Sequence, residues 1–249
     1  MHQLKDKTAL VTGGASGIGL AAARRFVAEG AHVFITGRRQ AELDQAAGSL
    51  GSDVTPVRSD VADLADLDRV FDAVRDRGRG LDVLFANAGG GAYATLADLT
   101  PESFDQTFGI NVRGTVFTVQ KALDVLNDGA SVIVTGSSSA SKGTPAFGVY
   151  AATMAALGSF TRTWAAELSG RGIRVNAIVP GPTDTPGLRG LAAAPDQVPQ
   201  LLGQMAAGVP LGRIAETDEI ASAVLFLASD QSSFVTASEL FADGGEVHV

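Results

Sequence analysis

Thr12, Gly13, Gly14, Ala15, Ser16, Gly17, Ile18 and Gly19 form a run of mostly small residues between a short apolar stretch and a segment of helical character. Small residues let a backbone turn tightly and approach a phosphate, and a helix that begins at such a turn aims its first N–H groups at the anion. Glycine clusters also build ordinary turns, so it is the placement between strand and helix that favours the phosphate reading. Further on, Asn87, Ala88 and Gly89 follow another apolar stretch, Asn111 lies in a long helical segment, and Ser137 and Tyr150 place two hydroxyls thirteen positions apart. Each has a plain structural reading alone: Asn stabilises turns, Ser is common in loops, and a single Tyr is often a packed residue. In this order, together, they favour a catalytic site.

Regular elements must position these groups. Short apolar runs recur at Thr8 to Val11, His32 to Thr36, Val54 to Val57, Leu81 to Ala86, Ser131 to Thr135, Arg174 to Val179 and Glu239 to Phe241. Between them, Ile18 to Glu29, Gln40 to Ser49, Leu64 to Arg77, Pro101 to Asn127, Val149 to Leu168 and Thr217 to Ala228 are long enough for helices. That βαβ rhythm predicts an α/β fold: a single Rossmann-like, doubly wound domain over residues 1–249 with a mainly parallel sheet covered on both faces. The irregular stretch Gly181 to Val209, with prolines at 182, 186, 195 and 199, reads as a loop with short helices, and 182–209 as a substrate lid.

Composition narrows the function. With 27 acidic against 19 basic residues the net charge is −8, which argues against nucleic acid or an anionic membrane as partner. There is no cysteine, so disulfides, thiolate catalysis and cysteine-ligated metals are excluded. His2, His32 and His248 lack ligand spacing, and no metal is expected. The amino terminus is unlike a signal peptide and no apolar stretch is long enough to span a bilayer, so the expectation is a soluble, cytoplasmic protein.

The spacing TGxxxGxG at Thr12 to Gly19, the Asn87-Ala88-Gly89 turn, Asn111, Ser137, Tyr150 and the Pro180-Gly181 turn together resemble the short-chain dehydrogenase/reductase family over nearly the whole chain. Within it the sequence looks like bacterial carbonyl reductases and secondary-alcohol dehydrogenases. The resemblance implies hydride transfer between nicotinamide C4 and a substrate carbon. Ser137 would polarise the substrate oxygen, Tyr150 would exchange its proton, and Asn111 would hold a water in a proton relay. It also implies that Gly13, Ser16, Gly17, Ile18 and Gly19 cradle the cofactor, with Asp60 and Val61 at the adenine and Asn87, Ala88, Gly89, Pro180 and Gly181 along the cleft. Thr183 and Thr185 would face the nicotinamide amide and the phosphates. Such relatives form homotetramers or homodimers through long helices, which is the expectation here.

Two departures matter. Where the family's lysine would stand, four residues after Tyr150, the chain has Met154. A thioether supplies neither charge nor donor, so it can neither lower the tyrosine pKa nor hydrogen-bond the nicotinamide ribose. At the end of the second strand Gly37 stands where NAD-preferring relatives carry an acid, and Arg38 and Arg39 follow. An arginine fork there suits a 2′-phosphate, which predicts a preference for NADP(H), with NAD(H) as a further option; surface capping by the same arginines is the plain alternative.

The leading expectation is therefore an NADP(H)-dependent ketone reductase or secondary-alcohol dehydrogenase scaffold weakened by Met154. A cofactor-binding protein without turnover, and a chain engineered at Met154 with altered scope such as C=N reduction, stay open. Lys142 sits in the Ser137 to Tyr150 loop and reads as a surface or entry residue rather than a replacement cation. The apolar lid residues, with Tyr93 and Phe147, suggest a small-molecule ketone or alcohol carrying a bulky or aromatic group.

Overall fold

The computed structural model describes residues 2–249. Strands β1 (Thr8–Val11), β2 (His32–Gly37), β3 (Val54–Arg58), β4 (Leu81–Ala86), β5 (Leu126–Thr135), β6 (Arg174–Pro180) and β7 (Glu239–Ala242) form one seven-stranded sheet in the order β3-β2-β1-β4-β5-β6-β7. All neighbouring pairs are parallel. Parallel strands need crossovers, and here these carry α1 (Gly17–Ala28), α2 (Gln40–Leu50), α3 (Leu64–Asp76), α4 (Pro101–Phe108), α5 (Thr115–Ala122), α6 (Gly148–Leu168), α7 (Pro186–Arg189), α8 (Val198–Ala207) and α9 (Thr217–Ala228). The architecture is the expected Rossmann-like fold.

The period of two along each strand feeds two separate cores. Ala9, Val11, Val33, Ile35, Val83, Phe85 and Ile133 face one side, packed with Ala22 and Phe26 of α1, Leu43 of α2 and Val224 of α9. Leu10, Phe34, Leu84, Val132 and Val175 face the other, with Val70, Phe71 and Val74 of α3 and Val119 and Ala122 of α5. Burial on both faces explains why the strands read as continuous apolar runs rather than alternating ones. The helices show the matching period: Leu67, Val70, Phe71 and Val74 are the buried residues of α3, whose first turn is capped by the Asp63 carboxylate accepting from Ala65 N at 2.9 Å.

The expected helix from Pro101 to Asn127 is corrected. It runs as α4, then a wider π-type segment over Gly109–Gly114, then α5, and it stops at Ala122. Leu126 already belongs to β5, paired with Leu81 ahead of a register shift, and Asp128 and Gly129, the latter at φ +77°, precede the regular pairing that starts at Ser131. The π segment is also where Asn111 turns inward, a setting in which such widened turns recur at functional sites.

At the start of α9, the Glu219 carboxylate accepts the Glu216 N–H at 2.9 Å and is forked by Arg213 at 2.7 Å to each oxygen. The Arg213 hydrogen bonds, then the Glu216 backbone N–H, pull its pKa down to about 2. A folded pKa below the unfolded value means that this contribution is present above the ordinary glutamate range and is lost as pH falls toward 2. Glu219→Gln should therefore lower the thermal midpoint at pH 7 while flattening its decline in acid, by no more than about 2 °C because solvent screens so exposed a pair. Melts at graded pH check this.

Candidate active site

The chain leaves β1 for β2 on one side of the sheet, while β4 lies on the other, so strand order reverses between β1 and β4. Such a switch point opens a crevice at the carboxyl ends of the strands. The loops after β1, β4, β5 and β6 meet there.

The turn after β1 is built for close approach. Gly13 and Gly17 hold φ of +66° and +54°, which L side chains rarely adopt. A Cβ on Gly19 would strike the Gly13 carbonyl and lie 2.7 Å from Asn87 Nδ2, so helix and turn pack with no room for a side chain. Ser16 is the α1 N-cap residue in extended conformation, yet its hydroxyl caps nothing, and the first turn of α1 has no acid. Ile18 packs partly against the core. An open helix N-terminus, a free hydroxyl and a side-chain-free cradle fit the pyrophosphate of a nicotinamide dinucleotide.

Across the crevice, Thr12 organises the β4 turn. Its buried hydroxyl accepts the N–H groups of Asn87 at 2.9 Å and Ala88 at 3.0 Å, and Asn87 Nδ2 returns a bond to Thr12 O at 3.1 Å. Thr135 donates to Asn87 Oδ1 at 3.3 Å. Asn87 thus ties together the ends of three strands, and the turn it fixes presents Gly89, whose absent Cβ would lie 3.1 Å from Asn111 Oδ1. Asn111 is buried; its Oδ1 accepts from Gly90 N at 2.9 Å, and its Nδ2 donates to Gly90 O and to Thr153 Oγ1, both at 2.9 Å. With both amide hydrogens donated within the protein, only acceptor capacity on Oδ1 is left for a water.

Ser137 ends the β5 side of the crevice as N-cap of a short 3-10 turn over Ser138–Ser141, its Oγ accepting from Ser139 N at 3.2 Å. Tyr150 comes from the first turn of α6, where the Ser137 hydroxyl acts on it. Burial pushes the Tyr150 pKa above the ordinary tyrosine value, while the Ser137 hydroxyl acts the other way by favouring the ionised form. The Tyr150 ring is clamped by Gly91, where a Cβ would sit 2.7 Å from it, and stacks obliquely on Phe147 with centroids 4.5 Å apart; Phe147 in turn meets Tyr93 at 5.0 Å. Met154 lies one helical turn beyond Tyr150, 4% exposed, in an apolar cluster with Val134 and Leu157 against which Tyr150 packs.

On the β6 side, a Cβ on Gly181 would lie 2.7 Å from Asp243 Cα, which fixes glycine after Pro180. The Thr183 hydroxyl donates to Gly181 O at 2.9 Å, and the Thr185 hydroxyl caps α7 by accepting from Leu188 N at 3.0 Å. The Thr185 methyl comes within 3.4 Å of the Cβ position of Gly17, which brings the 182–209 segment over the glycine turn.

At the far end, Arg38 is exposed and has no salt bridge among the described residues, whereas Arg39 is paired with Glu42 at 2.5 Å. Arg58 donates to Arg38 O at 3.2 Å, adding a second guanidinium beside the β2 end. The Asp60 carboxylate accepts from Ala62 N at 3.0 Å, and Val61 is buried against Gly114. Sequence reasoning passed over Gly91, Thr153 and Arg58, and read Thr12 only as part of the glycine turn; of the three passed over, only Gly91 carried a local signal, the run of three glycines from Gly89. Lys142 is joined to Glu246 of the carboxyl-terminal tail at 2.8 Å.

The site and fold define a dinucleotide-binding oxidoreductase. Residues 13–246 match the family model described as enoyl-(acyl carrier protein) reductase. The chain is 44% identical to the oxidoreductase asL5 of Sarocladium schorii over 98% of this chain and 97% of that protein, and 34% identical to the sorbitol dehydrogenase of Cereibacter sphaeroides over 98% of both. The solved structure of levodione reductase superposes with a TM-score of 0.93 at 31% identity, covering 98% of each chain. The chain belongs to the short-chain dehydrogenase/reductase family, oxidoreductases that act on alcohols and ketones with NAD(P)(H).

Proposed function

We propose that this chain is an NADP(H)-dependent reductase of small-molecule ketones, working better toward the alcohol than away from it. The observation that carries the reading is Tyr150, placed where the Ser137 hydroxyl acts on it, in the same crevice into which the glycine turn after β1 opens. The bound dinucleotide would supply the hydride. Ser137 would donate a hydrogen bond to the substrate oxygen and Tyr150 would give its proton there. A neutral tyrosine is the form needed for reduction, and the raised pKa of Tyr150 keeps it so; alcohol oxidation needs the tyrosinate, which nothing at Met154 stabilises. Gly13, Ser16, Gly17, Ile18 and Gly19 would hold the pyrophosphate, Asp60 and Val61 the adenine, and Asn87, Ala88, Gly89, Pro180, Gly181, Thr183 and Thr185 the nicotinamide half.

The 182–209 segment would act as the lid of a single catalytic domain. A homodimer or homotetramer fits the full exposure of Phe234, five residues before the edge strand β7, and a cytoplasmic location belongs to the same reading. Single-turnover NADPH oxidation with an aryl ketone tests the function. Tight cofactor binding with no turnover would make the chain a binding protein instead.

Cofactor choice has its own test. Arg38, free to form a bidentate pair, and the absence of an acid at Gly37 favour the 2′-phosphate, while Arg39 is engaged by Glu42. NADPH should bind more tightly than NADH at fixed ionic strength. Arg38→Asp should weaken NADPH by roughly 10- to 100-fold, the worth of one or two charge-assisted hydrogen bonds, and leave NADH nearly unchanged. Equal affinities in the unmodified chain would reject the assignment.

A further inference from the structure

Three features of the crevice bear on the charge of its substrate. The position one turn beyond Tyr150 holds a neutral, buried thioether. Two cations of the loops around the crevice are already matched: Lys142, between β5 and α6, with Glu246 at 2.8 Å, and Arg189, at the end of α7, with Asp184 at 2.6 Å. Beside Tyr150 runs a chain of aromatic rings, Tyr150 to Phe147 at 4.5 Å and Phe147 to Tyr93 at 5.0 Å, with Tyr93 itself 41% exposed. Apolar surroundings without an unpaired cation, bounded by aromatic faces, suit a flat organic cation, because ring quadrupoles attract positive charge and do so more strongly when water is excluded.

We propose that this site takes cationic C=N substrates, planar iminium ions of the dihydroisoquinolinium type, and reduces them to tertiary or secondary amines. This rests on the hydride-transfer reading above. The step balances without a proton: a hydride from the reduced nicotinamide forms the new C–H bond at the iminium carbon, the C=N π pair becomes the nitrogen lone pair, and the nicotinamide is oxidised. A ketone needs a proton at oxygen as the hydride arrives; an iminium ion already carries its charge, so the work of a lysine beside the tyrosine is not required. An ammonium at that position would oppose the substrate directly, since two like charges a few ångströms apart repel by several-fold more than thermal energy in a partly buried site. Phe147 is the positioning residue, the ring that links those of Tyr150 and Tyr93.

The test uses a near-isosteric pair, N-methyl-3,4-dihydroisoquinolinium and 1-tetralone, with NADPH and the full chain. The permanent cation removes substrate protonation from the comparison. The expected result is a kcat/KM for the iminium ion at least ~100-fold above that for the ketone after correction for their uncatalysed reduction, and calorimetric binding of the iminium ion without cofactor. Met154→Lys should weaken that binding and lower iminium reduction at least ~10-fold while ketone reduction rises. Phe147→Leu, which keeps an apolar side chain, should raise the iminium KM several-fold more than the ketone KM, with NADPH affinity little changed; it keeps the idea testable if the lysine variant fails to fold. Ketone turnover equal to or above iminium turnover overturns the proposal and leaves the reductase reading standing. Loss of both substrates, with NADPH bound, overturns both. An iminium preference that survives Phe147→Leu and Met154→Lys unchanged overturns the assignment to these rings and this position.

Discussion

Met154→Lys is expected to raise ketone reduction, and alcohol oxidation more steeply still. The new ammonium would sit one helical turn from Tyr150, favour its ionised form and offer a donor toward the crevice. Positioned acid–base groups contribute about 10²- to 10⁴-fold, which sets the scale of the gain. Oxidation should gain more because it needs the tyrosinate, the form that burial now opposes. The pH profile separates this from better cofactor placement: the alkaline limb of oxidation should move to lower pH in the variant, whereas tighter NADPH binding alone would change KM for the cofactor and leave the limb in place.

The same substitution carries a cost that can be measured. Position 154 is 4% exposed and its neighbours Val134 and Leu157 are fully apolar, so an ammonium there is desolvated when the crevice is empty. The variant should melt below the original chain without cofactor and recover with saturating NADPH. If the variant folds and binds NADPH but gains nothing with ketones accepted by related reductases, the missing cation is not what limits this site.

The strands and the crevice were legible for a physical reason. Strands buried on both faces leave unbroken apolar runs such as Leu81 to Ala86, and small-residue turns between strand and helix have few other uses. The helix from Pro101 was overextended because Val119, Ala122, Val125 and Leu126 continue apolar spacing past its end; what stops it is the long-range pairing of Leu126 with Leu81, which no local window contains. Long-range partners hid other parts as well. Lys142 and Glu246 are 104 residues apart, and Thr12 meets Asn87 across 75. The individual roles of Arg38 and Arg39 were not separable by type, since both are exposed arginines after a strand; the difference lies in Glu42, three residues beyond Arg39, which engages one and not the other. Asn111, in the widened helical turn, gives its amide hydrogens to Gly90 and Thr153, partners 21 and 42 residues away that its own stretch of sequence does not announce.

Tyr150→Phe should abolish most ketone reduction, by about 10²- to 10⁴-fold, because it removes the hydroxyl placed to protonate the substrate oxygen while keeping the ring. Fold and cofactor binding should persist: the ring's contacts with Gly91 and Phe147 involve carbon alone. The Tyr150 side chain is half-buried and Ser137 is the one side chain that acts on its hydroxyl, so the thermal midpoint should hardly move. Reduction of a permanent iminium ion requires no proton, so the same variant should lose far less with that substrate. Single-turnover rates for both substrates in both forms give the comparison. A large ketone loss with a small iminium loss identifies Tyr150 as the proton donor; equal losses would mean that the hydroxyl orients substrates rather than protonating them, and an unchanged ketone rate would move the chemistry to another acid or to water.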